Sequence, residues 1–412
     1  MIQEFLLLGI IILVGFLGSV LFSKTKVPDT LILLFLGLVL GPLTGTINVV
    51  PFVEWATFVG TLALIVVLLE AGFKLSLTEV ITRLPEAGGF AVASFALSAL
   101  AATAALHYVF GWQLLYALFT GVILGGYSSN VVLPIISKLS ASAAARTLVS
   151  LESVINDVFC IVFAFIVLGV MGSSGSPDLA QAGKNLASAF TTAIVIGVIA
   201  GVFWMKVLRT FQKNKPLAYV VTLALAFILY AFAEAAGGNG AIAVLVFGLA
   251  LGNGQRLAEA FKWQGDYAIA TPMKDVQTAV VFFVNTFFFV YLGLLFDFKT
   301  FNELAILVTA AVLVALYAGR AIAVYALTRV NAALKDQSRY LMWFAPRGLA
   351  AAVLAFLPAS QGKSIPGLVE TAFLAILATN IIAAIATFVF EQPAKQAQQP
   401  QAKAPQKPRI VR

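Results

Sequence analysis

Cysteine and histidine are almost missing from this sequence: Cys160 and His107 are the only examples in 412 residues. A single thiol excludes an intramolecular disulfide, and one thiol with one imidazole excludes a His/Cys metal cluster. Charged side chains are scarce as well, at 11% against about a quarter in a typical soluble protein. So few charges cannot clothe a chain of this length in polar surface, so it belongs in a bilayer. Also lacking are a Walker loop, a Gly-x-Gly-x-x-Gly after a strand, an Asp-rich prenyl-transferase motif and a Gly-Asp protease motif. The expectation is therefore a protein with no cofactor and no enzymatic activity. The first apolar run has no basic n-region and no small-residue cleavage pattern, so it reads as a first membrane helix rather than a signal peptide.

What the chain has in abundance is apolar sequence, 61% of it. A helical span takes about 20 apolar residues. Punctuation by Gly, Pro and charge marks thirteen such segments: 4–22, 30–47, 55–73, 86–109, 113–137, 146–172, 185–208, 217–236, 239–253, 276–296, 303–328, 340–358 and 366–390. The loops test that count. If alternate loops share a side, one side carries twenty-one of the 26 basic residues, and the other has only Lys184, Lys299 and Lys363. By the positive-inside rule the amino terminus is outside and the carboxyl terminus in the cytoplasm. The formal charge of +8 then faces the inner leaflet rather than a nucleic acid. Residues 391–412 are rich in Pro, Gln, Ala and Lys, without apolar periodicity, and read as a disordered basic cytoplasmic tail.

Five ionisable residues fall well inside the apolar segments: Glu70, Glu152, Asp157, Arg320 and Arg347. Intramembrane charge is costly and marks function or internal pairing. Arg320 is a cation available to Glu70 or Glu152. In SLESVIND, residues 150–157, helical geometry spreads Glu152, Asn156, Ser153 and Asp157 over about 140° of one face. Mixed oxygen ligands of this kind suit a hard cation, and desolvation disfavours the charged form of a carboxyl. A carboxylate that holds either a proton or a cation is the minimum machinery for proton-coupled exchange. Two segments are interrupted: GVILGGYSSNVVLPIISKL, 121–139, by Gly125, Gly126, Ser128, Ser129, Asn130 and Pro134, and FAPRGLAAAVLAFLP, 344–358, by Pro346 and Gly348 around Arg347. Each is the middle of a three-helix set, which points to an inverted-repeat transporter with its site where the broken helices cross.

With these motifs in hand, the chain resembles the monovalent cation:proton antiporter superfamily, in particular NhaP-like sodium–proton antiporters. ESVIND resembles the family's Glu-Ser-x-x-Asn-Asp motif on the sixth helix, and PRGLAAAVLAFLP its Arg-Gly segment on the twelfth. VVLLEAGFKL, with Glu70, is similar to its third helix, and KVPDTLILLFLGLVLGP, 26–42, to its opening helices. The resemblance implies an all-α polytopic fold of the NhaA-like antiporter type, with inverted repeats and two broken crossing helices. It implies a core domain (about 86–172 and 303–390), a dimerisation domain (about 1–73 and 217–296) and a linker helix (about 185–208). It also implies a homodimer in the plasma membrane that serves pH homeostasis by alternating access. In that reading Asp157 is the shared proton and cation carrier, and Glu152 and Ser153 coordinate or support the ion. Asn156 stands where electrogenic relatives have a second Asp, so one cation exchanges for one proton. Arg347, Arg320 and Glu70 form a supporting charge network.

One departure concerns the ion. Many members carry Thr-Asp-Pro in the broken fifth helix, whereas this chain has Ser128-Ser129-Asn130, which looks more like potassium-efflux-type antiporters. Either serine is then the hydroxyl ligand. Sodium or lithium is expected, and a K+/H+ antiporter or K+ efflux pathway is the alternative. His107, beside Tyr108 and Trp112, reads as an interfacial anchor, and Cys160 as packing.

Overall fold

The computed structural model describes residues 9–18, 20, 28–45, 50–75, 88–137, 139–172, 179–210, 215–269, 271–296 and 303–390. The tail 391–412 and several basic loop residues, such as Lys24, Arg83 and Lys213, lie outside that set. Within the described residues the regular structure is helical, with no strand.

In chain order the helices are α1 (Gly9–Gly18), α2 (Asp29–Leu38), α3 (Val50–Lys74), α4 (Gly89–Ala104), α5 (Leu114–Gly125), α6 (Ser129–Ile136), α7 (Ala143–Gly172) and α8 (Leu179–Thr210). They continue with α9 (Lys215–Ala235), α10 (Gly240–Gly252), α11 (Gly254–Ala260), α12 (Thr271–Leu294), α13 (Glu303–Val330), α14 (Ser338–Trp343), α15 (Leu349–Ser360) and α16 (Leu368–Phe390). The described part of every expected segment falls on one of these helices or, for 113–137 and 340–358, on a pair separated by an extended break. Among the described residues 8 spans are long and apolar enough to cross a membrane, or 9 if α10 and α11, bent by 73°, form one.

Packing follows composition. Helix α10 is apolar all round and almost wholly buried, as a helix without a polar face must be. Its first turn is capped by Asn239, whose Oδ1 accepts from Ile242 N at 3.0 Å, and by Glu234, whose Oε1 accepts from Gly240 N at 2.7 Å. Helix α3 lies directly against it: a Cβ added at Gly248 would stand 2.8 Å from the Leu69 carbonyl oxygen. Small residues allow this close approach, and it fixes the side of α3 that carries Glu70 and Lys74. The outer faces of α8 and α9 expose Val198, Ile199, Phe203, Val221, Ile228 and Phe232, an apolar surface suited to acyl chains.

The two interrupted spans decide the architecture. Helix α5 stops at Gly125, residues Gly126 and Ser128 are extended, and α6 starts at Ser129. The interruption therefore sits at the glycine pair, while Pro134 lies inside α6. The reason is close packing: a Cβ at Gly126 would stand 2.5 Å from Cys160 Sγ on α7. The second interruption runs from Phe344 to Gly348 between α14 and α15. The two breaks touch where Ser128 N donates to Pro346 O at 2.9 Å. Long helices flank each broken pair: α4 and α7 on one side of the symmetry, α13 and α16 on the other, with α4 packed on α13.

A Cβ at Gly348 would collide with the Ser128 side chain. Gly348→Ala is therefore expected to force the crossing apart at a cost of about 1–3 kcal/mol. The check is a lowered melting temperature in detergent; a wild-type melting curve would mean that the crossing has slack.

Candidate ion-binding site at the helix crossing

The short helix α6 begins beside the crossing with unsatisfied N–H groups, as any helix does, and with the positive end of its dipole. Asp157, on α7, meets it there. Its Oδ2 accepts from Ser129 N at 3.1 Å and from Ser129 Oγ at 2.6 Å. Asp157 is partly exposed, whereas Glu152, Ser153 and Asn156 on the same helix are fully buried. It opens onto a cavity shared with Ser128, Ser129, Asn130, Glu70 and Lys74. The Asn156 carboxamide beside it has no hydrogen-bond partner among the described residues on either polar atom. A second cavity, also bordered by Ser128 and Asn130, includes Asp29 and Asn285.

The two acids of ESVIND do not converge on one point. Glu152 forms a fully buried pair with Arg320: Nη1 to Oε1 at 2.8 Å and Nη2 to Oε2 at 3.2 Å. Tyr127 OH also donates to Glu152 Oε2, at 2.6 Å. The remaining Arg320 donors reach Leu341 O at 2.6 Å and Ser94 Oγ at 3.0 Å, and Tyr127 stacks 4.6 Å from the guanidinium. Ser153 Oγ donates back to the carbonyl of Ser150 on the same helix, 3.0 Å away. The stripe anticipated from helical geometry is thus divided, because its width of about 140° reaches two neighbours. Asp157 faces α6; Glu152 and Ser153 do not join it there.

Arg347 also takes a different place from the one a charge count suggests. It is buried, and its Nε donates to Leu124 O at 2.9 Å and its Nη1 to Ala345 O at 2.7 Å. It caps carbonyls at the end of α5 and within the second break rather than pairing with a carboxylate. Thr379 and Asn380 of α16 hold its backbone: Thr379 Oγ1 accepts from Arg347 N at 3.1 Å, and Asn380 Nδ2 donates to Arg347 O at 2.8 Å. Glu70, one turn before Lys74, pairs with it at 2.6 Å and accepts from Asn130 Nδ2 at 3.1 Å.

Sequence reading overlooked Thr379 and Asn380, although two polar residues in LATNIIAA are a visible signal. It counted Lys74 only as a loop charge. His107 Nδ1 lies 2.7 Å from Trp112 O and ties down the turn after α4. Cys160 is buried, with Sγ 3.9 Å from Ile123 O.

A polytopic helical protein with two crossing broken helices and a carboxylate at the crossing has the construction of a secondary transporter. The family profile described as "Sodium/hydrogen exchanger, transmembrane" matches residues 9–392, and the chain belongs to that family. It is similar to the low-affinity Na(+)/H(+) antiporter NhaS1 of Synechocystis, 25% identical over 403 residues covering 93% of this chain and 73% of the relative. It is also similar to the K(+)/H(+) antiporter NhaP2 of Shewanella, 23% identical over 259 residues covering 61% and 44%. The structure of the sodium proton antiporter MjNhaP1 from Methanocaldococcus jannaschii shares the fold, with a TM-score of 0.76 at 20% identity, covering 93% of this chain and 99% of that one.

Arg320→Leu is expected to strand Glu152 as an uncompensated buried charge and to destabilise by about 3–5 kcal/mol. Adding Glu152→Leu should restore most of the loss. Thermal melts of both variants check this; equal damage in the single and the double variant would refute the pairing argument.

Proposed function

We propose that the protein exchanges a monovalent cation, sodium or lithium, for a proton, with Asp157 as the shared carrier. The observation that carries the proposal is the difference between the acids. Glu152 and Glu70 have cationic partners in Arg320 and Lys74, whereas the hydrogen bonds to Asp157 come from neutral donors, Ser129 N and Oγ. A carboxylate already paired with a counter-ion is neutralised without a proton or a metal ion. One held by neutral donors needs either to become neutral in an apolar interior. The carrier then moves only when loaded, and the two loads exclude each other.

Asn156 is uncharged, so one carboxylate serves the site and one cation exchanges for one proton. Ser128 or Ser129 supplies hydroxyl oxygen. The core domain, about 86–172 and 303–390, moves against an interface domain, about 1–73 and 217–296, that forms a homodimer. Thirteen passages place the amino terminus outside and the carboxyl terminus in the cytoplasm of a plasma membrane. A second reading, potassium–proton exchange, is favoured by Ser128-Ser129-Asn130 in the broken helix and by the likeness to NhaP2.

The test is proton-gradient dye dequenching in proteoliposomes. Addition of sodium, lithium or potassium should dissipate the gradient, and the alkali series identifies the ion; no response to any of them would sink the proposal. Asp157→Asn should abolish the response and leave the melting temperature within a few degrees, whereas full activity would refute the carrier assignment. Asn156→Asp should make transport respond to an imposed membrane potential once the new acid is shown to titrate; a voltage-insensitive rate would reject the count of carboxylates as the basis of stoichiometry.

A further inference from the structure

The cavity at Asp157 contains a cation already. Lys74, the last residue of α3, places its ammonium 2.6 Å from Glu70 Oε1 and 2.7 Å from Asn130 Oδ1, and Asn130 Nδ2 closes the triangle onto Glu70 Oε2 at 3.1 Å. Asn130 is the second residue of α6 and follows Ser129, which holds Asp157. The Lys74 side chain is 38% exposed and that of Glu70 only 9%, so the ammonium sits at the mouth with the carboxylate behind it. A carboxylate oxygen and an amide oxygen are the ligands that an alkali cation takes up as it sheds water.

We propose that Lys74 is a tethered competitor for the transported cation. Its ammonium occupies the oxygen site at the mouth of the cavity, and an entering ion reaches Asp157 by displacing it from Glu70 and Asn130. Lys74 thereby sets the cation concentration at which exchange half-saturates. The charges point the same way: Glu70, Asp157 and Lys74 together leave one net negative charge for the entering cation, and without Lys74 there are two. The inference rests on the exchange reading of Asp157.

The experiment compares wild type, Lys74→Gln and Lys74→Arg in proteoliposomes, titrating sodium, lithium and potassium at fixed pH. Lys74→Gln should lower the half-saturating concentration by about threefold or more, the scale of a partly exposed ion pair. Lys74→Arg, which keeps the charge, should stay within about twofold of wild type on the same scale. Lys74→Met keeps the stem and replaces the Gln variant if that fails to fold. An unchanged or raised half-saturating concentration in the neutral variants overturns the inference, as does a Lys74→Arg response equal to theirs. Wild type that exchanges normally beside an unresponsive Lys74→Gln refutes only the competitor role. Wild type that exchanges no cation refutes the exchange reading itself.

Discussion

The rest of the structure depends on one constraint: two stretches of extended backbone meet in an apolar interior, and their polar groups must find partners inside the protein. A bilayer offers none, and irregular backbone at membrane depth survives only when it is enclosed. Several of these groups are answered by specific residues. The Ser128 amide goes to the Pro346 carbonyl, the Ser129 amide to Asp157, and the Leu124 and Ala345 carbonyls to Arg347. The signs agree with the helix dipole: an acid stands at the amino end of α6 and a base at the carboxyl end of α5. Asp157 therefore has a structural reason for its position in addition to any ion it carries.

That constraint also divides the buried charges. Arg347 is committed to carbonyls and leaves the acids to other partners. Glu152 takes Arg320 with almost ideal bidentate geometry and adds Tyr127, so it behaves as a joint between α7 and α13. Glu70 shares Lys74 with Asn130. Asp157 is left with neutral donors and an opening. If Asp157 is the exchange site proposed above, its capacity to trade a proton for a cation comes from how the other charges are satisfied more than from the acid itself.

Close packing supplies the precision. Glycines at 126 and 348 let the two breaks approach α7 and each other, and the glycine contacts between α3 and α10 hold Glu70 and Lys74 beside the same cavity. Asn156 remains a buried amide without a hydrogen-bond partner among the described residues, next to the carboxylate that the proposed exchange uses.

The sequence by itself determined the helical membrane class, the placement of the helices and the two interrupted spans. Periodic apolar runs of bilayer length admit one kind of structure, and Gly or Pro in such a run leaves a local trace. It also singled out Asp157, because a carboxylate just before CIVFAFIVLGV is visible without a partner. Only the tertiary structure decided which charges pair. Glu152 and Asp157 share a helix face in sequence, yet a face that wide meets two neighbours, and the choice of Arg320 for one and Ser129 for the other depends on helices 168 and 28 residues away. Lys74 looked like an ordinary loop charge because nothing local to α3 announces that Asn130 stands opposite it. Pairing across a crossing is set by the angle and depth at which helices meet, and those follow from packing of the whole bundle.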